Sequence, residues 1–184
     1  NPSSGRQGFA LAQAAIDQGA RVTLVAGPTQ LPTPVGAERV NVTTAQEMLD
    51  AVLAASRDAD VLLMAAAVGD YQPASVAAQK IKKAGDLSLS LVRTPDVLSS
   101  VAARRRETNR PRLLVGFAAE SENLVANAQA KLTAKQLDLI VANDVTASGS
   151  GFAVETNQVT LIDRRSGIET LPLLSKSAVA DAII

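Results

Sequence analysis

Residues 61–67 read VLLMAAA, residues 113–117 read LLVGF and residues 137–142 read LDLIVA. All three read as strands, and the first is a continuous apolar run, the kind covered on both faces by helices in a parallel sheet. The segments between them carry helical signals. Thr44 followed by Glu47 is a capping-box pattern opening a helix that runs to about Arg57. Pro95 can stand at the first position of a helix to about Arg106, since its missing N–H costs nothing there, and Thr94 is a candidate cap. A third helix is expected over 122–136.

Toward the N-terminus, residues 6–19 read as an amphipathic helix ending at Gly19, and 21–26 (RVTLVA) as a β-branched strand. Residues 27–36 hold three prolines and two glycines and form a loop before a short strand at 39–42. A polar stretch over 69–85 precedes the alternating strand pattern LSLSLV at 87–92. Toward the C-terminus come a Gly/Ser loop at 143–152, a β-hairpin (158–163 and 168–172 around a turn at 164–167) and a closing helix at 175–184. Strands alternating with helices predict one α/β domain over 1–184: a Rossmann-like, three-layer αβα fold with a mostly parallel central sheet and a C-terminal β-hairpin. Such folds normally open on a strand, and this sequence opens on a helix, so a first strand preceding it is expected. Ligands bind at the carboxyl ends of parallel strands, which directs attention to 66–85, 93–97, 117–121 and 142–152.

Composition narrows the chemistry. Lys+Arg and Asp+Glu number 18 each, a net charge of zero that argues against a nucleic-acid binder. With neither Cys nor His, the chain has no disulfide, no thiolate nucleophile, no imidazole base and no Cys or His metal ligand. Aromatics are 2%, too few for a stacking platform. No apolar run approaches the roughly 20 residues of a membrane span, and no signal-peptide pattern is visible, so a cytoplasmic protein is expected. Catalysis here would rest on alignment and charge neutralisation by Lys, Asp, Asn, backbone groups or a hard metal ion, which suits phosphoryl or nucleotidyl transfer.

Several clusters fit that chemistry, each beside a plainer reading. Ser3–Gly8 (SSGRQG) starts the first helix, where free N–H groups and the dipole favour an anion, or it is a simple turn. Asp70 ends the most apolar strand, where it would meet a ribose hydroxyl or a metal ion, or lie on the surface. Lys80, Lys82 and Lys83 form a solvated face or a flap that closes on polyphosphate. Lys131 and Lys135 share one helix face. Asn143 and Phe117 sit at strand ends, to cap or pack, or to hold a ligand and stack on a base.

Together, seven segments make the chain resemble the phosphopantothenate–cysteine ligases, the C-terminal half of the bacterial bifunctional coenzyme A biosynthesis proteins. They are Asn1-x-Ser3-Ser4-Gly5-x-x-Gly8, LPTP at 31–34, AAAV-x-DY at 65–71, KIKK at 80–83, TPD at 94–96, GFAAE at 116–120 and Asn143-Asp144-Val145. The resemblance implies that CTP and Mg²⁺ activate 4′-phosphopantothenate as an acyl-cytidylate, releasing pyrophosphate. L-cysteine then displaces CMP. It implies a homodimer and, in the full-length protein, a flavin-dependent decarboxylase half, so no FMN is expected here. By residue, it implies Asn1 and Lys80 as catalytic. Ala66, Asp70, Lys80, Pro95, Asp96, Val97, Leu98, Phe117, Lys131 and Lys135 would be nucleotide-binding, with Asp70 also a metal ligand. Ser4, Gly5 and Asn143 would be phosphate- or substrate-binding. Two rivals stand beside it: an NAD(P)-binding Rossmann oxidoreductase and a non-catalytic nucleotide-binding domain. The short-chain oxidoreductase pattern needs Lys four residues after Tyr, and four after the single tyrosine, Tyr71, is Ser75.

Overall fold

The apolar run that opens at Val61 is a strand only over its first four residues, because it ends at the mouth of a cleft. The computed structural model describes residues 4–82, 87–144, 146 and 154–184. In chain order these form α1 (Arg6–Asp17), β1 (Thr23–Ala26), β2 (Glu38–Asn41), α2 (Ala45–Ala55), β3 (Val61–Met64), β4 (Tyr71–Pro73), β5 (Leu91–Arg93) and α3 (Val97–Thr108). There follow β6 (Leu113–Glu120), α4 (Leu124–Ala134), β7 (Leu139–Asp144), β8 (Thr156–Asn157), β9 (Val159–Asp163), β10 (Ile168–Thr170), β11 (Leu174–Ser175) and α5 (Lys176–Ile183).

The central sheet runs β10-β9-β7-β6-β3. β3, β6 and β7 pair in parallel, whereas β9 joins β7 antiparallel and carries β10 as a hairpin. The expected α/β architecture stands as a mixed sheet: β3, β6 and β7 are its parallel part, and the expected C-terminal hairpin, β9 and β10, joins β7 antiparallel. β1 and β2 form a separate parallel pair. Their Val25 and Val40 pack into the same core as Leu62 and Met64.

Strand alternation sorts the core into two faces. Leu114, Ala118, Ile140, Ala142 and Ile162 pack with Met48 and Val52 of α2, Val101 of α3 and Leu132 of α4. Val115, Val141 and Val159 face the other way, toward Val179 of α5, and Phe117 packs with Leu11 and Ala14 of α1. The molecule is therefore three-layered, with α2, α3 and α4 on one face and α1 and α5 on the other.

Local signals explain the element ends. Thr44 Oγ1 accepts the Glu47 N–H at 3.1 Å, and Glu47 reaches back to the Thr44 N–H at 3.2 Å, completing the capping box. At α3 the expectation of a start at Pro95 with Thr94 as cap is corrected: Asp96 is the cap and accepts the Ser99 N–H at 3.1 Å. Thr94 instead donates its hydroxyl to the Gly69 carbonyl, and its N–H to Asp70 O at 3.0 Å. These bonds fasten the loop after β3 to the loop before α3. The LSLSLV pattern contributes only its last two residues to a strand, β5, which pairs with β4 on an exposed arm. β3 is the sheet's edge strand, and its Val61 is 45% exposed rather than covered on both faces.

Candidate functional site

The carboxyl ends of the parallel strands β3 and β6, the segment that leads from β5 into α3, and α4 converge on one cleft of about 600 Å³. β3 leads into Ala66 and Asp70, the approach to α3 supplies Pro95, Asp96, Val97 and Leu98, β6 supplies Phe117, and α4 presents Lys131 and Lys135. Nine of the residues expected to bind nucleotide, spread over 70 positions of sequence, thus line a single opening. Met64, Ala67, Val68, Ala118 and Ala119 give it a small-residue, largely apolar floor. Such a floor lets a flat ligand approach the backbone.

Each lysine of the cleft meets a carboxylate on another element. Lys131 Nζ lies 2.6 Å from Glu120 Oε1, and Lys135 Nζ lies 3.4 Å from Asp96 Oδ2. Glu120 is buried at the end of β6, and its other oxygen accepts from the Asn127 amide at 3.3 Å. Burial pushes the Asp96 carboxyl up, but the Ser99 N–H and hydroxyl, with the Lys135 ammonium, outweigh that and hold its pKa below the ordinary value. Each ammonium group is therefore held beside the cleft by a carboxylate of a neighbouring element.

Gly116 shapes the same wall from behind. A Cβ there would stand 2.6 Å from Leu137 Cδ1 and 3.3 Å from Leu98 Cδ1, so its absence lets the start of α3 close onto the sheet.

Not every expected residue is brought to this opening. Lys80 is exposed on the segment after β4 and does not line the cleft. Asn143 is the penultimate residue of β7, also outside the lining. Ser4 and Gly5 stand at the start of α1, where Gly5 is the cap at φ +76°, a conformation that favours glycine. Around that start Arg6 pairs with Glu155, and the Gln7 amide donates to Lys176 O at 3.1 Å. Lys176 is buried, and this lowers its pKa against the opposing pull of Glu155, with Arg6 adding to the lowering. Asn1 and Lys83 lie outside the described residues.

Sequence reasoning missed Tyr71, Arg93 and Thr94 as lining residues and Glu120 as the partner of Lys131. Arg93 adjoins the TPD segment and Glu120 closes GFAAE, so both stood inside or beside motifs already singled out. Their roles depend on contacts across 11 or more positions that no local pattern encodes.

Against this geometry, residues 1–184 match the family described as DNA/pantothenate metabolism flavoprotein C-terminal domain. The chain belongs to that family. The coenzyme A biosynthesis bifunctional protein CoaBC of Vibrio vulnificus strain YJ016 is 48% identical over 187 residues, covering 100% of this chain and 46% of its own length. CoaBC of Bacillus subtilis strain 168 is 43% identical over 186 residues, covering 100% of this chain and 45% of its own. The chain spans about half the length of the curated relatives it matches. Among solved structures, the C-terminal domain of a CoaBC superposes with a TM-score of 0.81 at 38% identity, covering 100% of this chain and 81% of that one. A Cab2 mutant in complex with phosphopantothenate-cysteine shares the fold, at a TM-score of 0.74 and 16% identity, over 100% of this chain and 76% of that one.

Proposed function

We propose that the chain is the ligase half of a CoaBC-type protein, joining 4′-phosphopantothenate to L-cysteine at the expense of CTP. The observation that carries this reading is the meeting of Asp70, Phe117, Lys131 and Lys135 in one cleft, floored by small residues and walled by the start of α3. It offers a ring to a base, a carboxylate to a ribose or a magnesium ion, and two ammonium groups to a triphosphate.

The reaction needs no protein nucleophile. A carboxylate oxygen of phosphopantothenate attacks the α-phosphorus, the bond to the β-phosphate breaks, and pyrophosphate leaves. The cysteine amine then attacks the acyl carbon, the acyl–oxygen bond breaks, CMP leaves and the nitrogen loses its proton. The chain's part is to align the reactants and to neutralise charge on the departing pyrophosphate, and Lys131 and Lys135 fit that role. Lys80, on the exposed segment after β4, would close over the phosphates, and Asn1 would hold the acyl-cytidylate. Ser4 and Gly5 offer backbone N–H groups at a helix start for a substrate phosphate, with Asn143 contributing from the end of β7.

Among the described residues no cluster of three or more acidic side chains could cage a metal ion. Of the two carboxylates that line the cleft, Asp96 faces Lys135, and Asp70 matches how Mg²⁺ is held beside nucleotide phosphates, through one or two protein oxygens. Bound there, Mg²⁺ would supply charge neutralisation on the triphosphate.

Homodimer formation and a flavin-dependent decarboxylase half are part of this reading. The dimer is supported by the exposed apolar residues Tyr71, Val76, Ile81, Leu87, Leu89 and Leu91 on and around the β4–β5 arm. No helix among the described residues is long and apolar enough to cross a membrane, and a cytoplasmic setting fits the substrates. Pyrophosphate release with CTP, phosphopantothenate and cysteine tests the proposal. Multiple-turnover release that requires all three, with no more than about one equivalent released when cysteine is left out, supports it. Release without phosphopantothenate, or NAD(P)H turnover in place of release, contradicts it.

A further inference from the structure

At the far end of α3 from the cleft lies a second hollow, of about 410 Å³, lined by Ala102, Arg105, Arg106, Asn109, Arg112, Gln136 and Arg164. It shares no lining residue with the cleft. We propose that this hollow binds a small phosphorylated anion, a reading carried by its own lining and tested by shifts at its own residues, with only the turnover control resting on the ligase reading.

Charge arithmetic favours an anion. Four guanidinium groups contribute +4. Asp138 answers one of them, held by Arg105 at 2.7 Å and Arg164 at 3.0 Å. The C-terminal ends of α3 and α4 each contribute roughly half a negative charge. Asp60 approaches Arg112 at 3.5 Å but is shared with Arg110, so that pair adds nothing net. About two positive charges are left over around a concave surface whose lining holds no carboxylate.

Donor geometry points the same way. Each guanidinium has five N–H groups. Those of Arg105 and Arg164 reach Asp138, one of Arg105 reaches the Arg112 carbonyl, and Arg106 Nε–H donates to Gln136 Oε1 at 3.1 Å. Most of the donors remain for a ligand, with the Asn109 and Gln136 amides beside them. Asn109 and Gln136 hold φ of 54° and 52°, so both helix-end turns place their side chains at the rim in a fixed backbone conformation. Rigid forks of this kind suit the tetrahedral oxygens of phosphate.

The test fills the cleft first. With CTP and magnesium saturating, the ¹⁵N-labelled chain is titrated with inorganic phosphate and, separately, with pyrophosphate, against sodium chloride at matched ionic strength. Arg106, Asn109, Arg112 and Arg164 should shift saturably with at least one phosphorylated probe, and not with chloride. Arg106→Gln and Arg112→Gln, both at exposed positions, should each weaken binding about tenfold while turnover without the probe stays unchanged. Thermal melts of both variants check that the fold survives. Shifts that only track ionic strength, or equal affinity in the wild type and both variants, would overturn the proposal.

Discussion

Lys131 of α4 and Glu120 at the end of β6 form an ion pair at 2.6 Å in which the carboxylate is buried and the ammonium is half-exposed toward the cleft. The pair is asymmetric, so its two halves should fail differently. Lys131→Ala removes a proposed triphosphate contact and leaves Glu120 without its cation, so kcat/KM for CTP should fall about 10- to 100-fold and the melting temperature should drop. Glu120→Gln keeps the packing and one hydrogen bond but frees the lysine. KM for CTP should rise and kcat change less, which steady-state kinetics of the two variants will show.

Asp96 both caps α3 and faces Lys135, so one side chain serves the helix start and the charge balance of the cleft. Asp96→Ala should cost about 1 kcal/mol of stability through the lost cap. The folded pKa of Asp96 is lowered, so its stabilising charge is complete above the ordinary carboxylate value and is lost as pH falls through the folded value. Asp96→Asn keeps a cap and removes this titration. Denaturant melts from neutral pH down to the acid range should therefore show wild type converging on Asp96→Asn, by a small amount because the pair is exposed to solvent.

Gly116 supports the cleft from within the core. Gly116→Ala places a methyl group against Leu137 and Leu98 and should destabilise the fold by roughly 1–3 kcal/mol. Leu98 lies in the first turn of the helix that walls the cleft, so CTP affinity should fall with it. A loss of stability with unchanged affinity would separate the core from the site.

Phe117 packs against α1 and α5 on one side and opens onto the cleft on the other. Phe117→Leu retains apolar bulk and removes the ring. Binding of CTP should weaken while the melting temperature moves only slightly, and a comparison of CTP with ATP on both proteins reads out whether the ring sets base preference.

The order of elements was legible because each long strand is an apolar run bounded by helical signals, and the Thr44–Glu47 box marked its helix start directly. The convergence of Ala66, Asp70, Pro95, Phe117 and the α4 lysines followed from strand ends and family motifs. Short strands were not legible. β4 spans three residues including Pro73, β8 and β11 two each, too short for any period to register. The edge position of β3 is set by pairing, which an apolar run does not reveal. At α3, Asp96 competed with Thr94 for the cap, and the outcome was decided by Thr94 bonding back to Gly69 and to Asp70.

Calorimetric titration of magnesium–CTP into the wild-type chain and into a Lys131→Ala/Lys135→Ala double variant tests most directly whether the α4 lysines grip a nucleoside triphosphate. Saturable heat in the wild type, and affinity lowered about 100-fold or more in the double variant, is the expected result. Equal affinity in the two proteins, or no heat in the wild type, would contradict it.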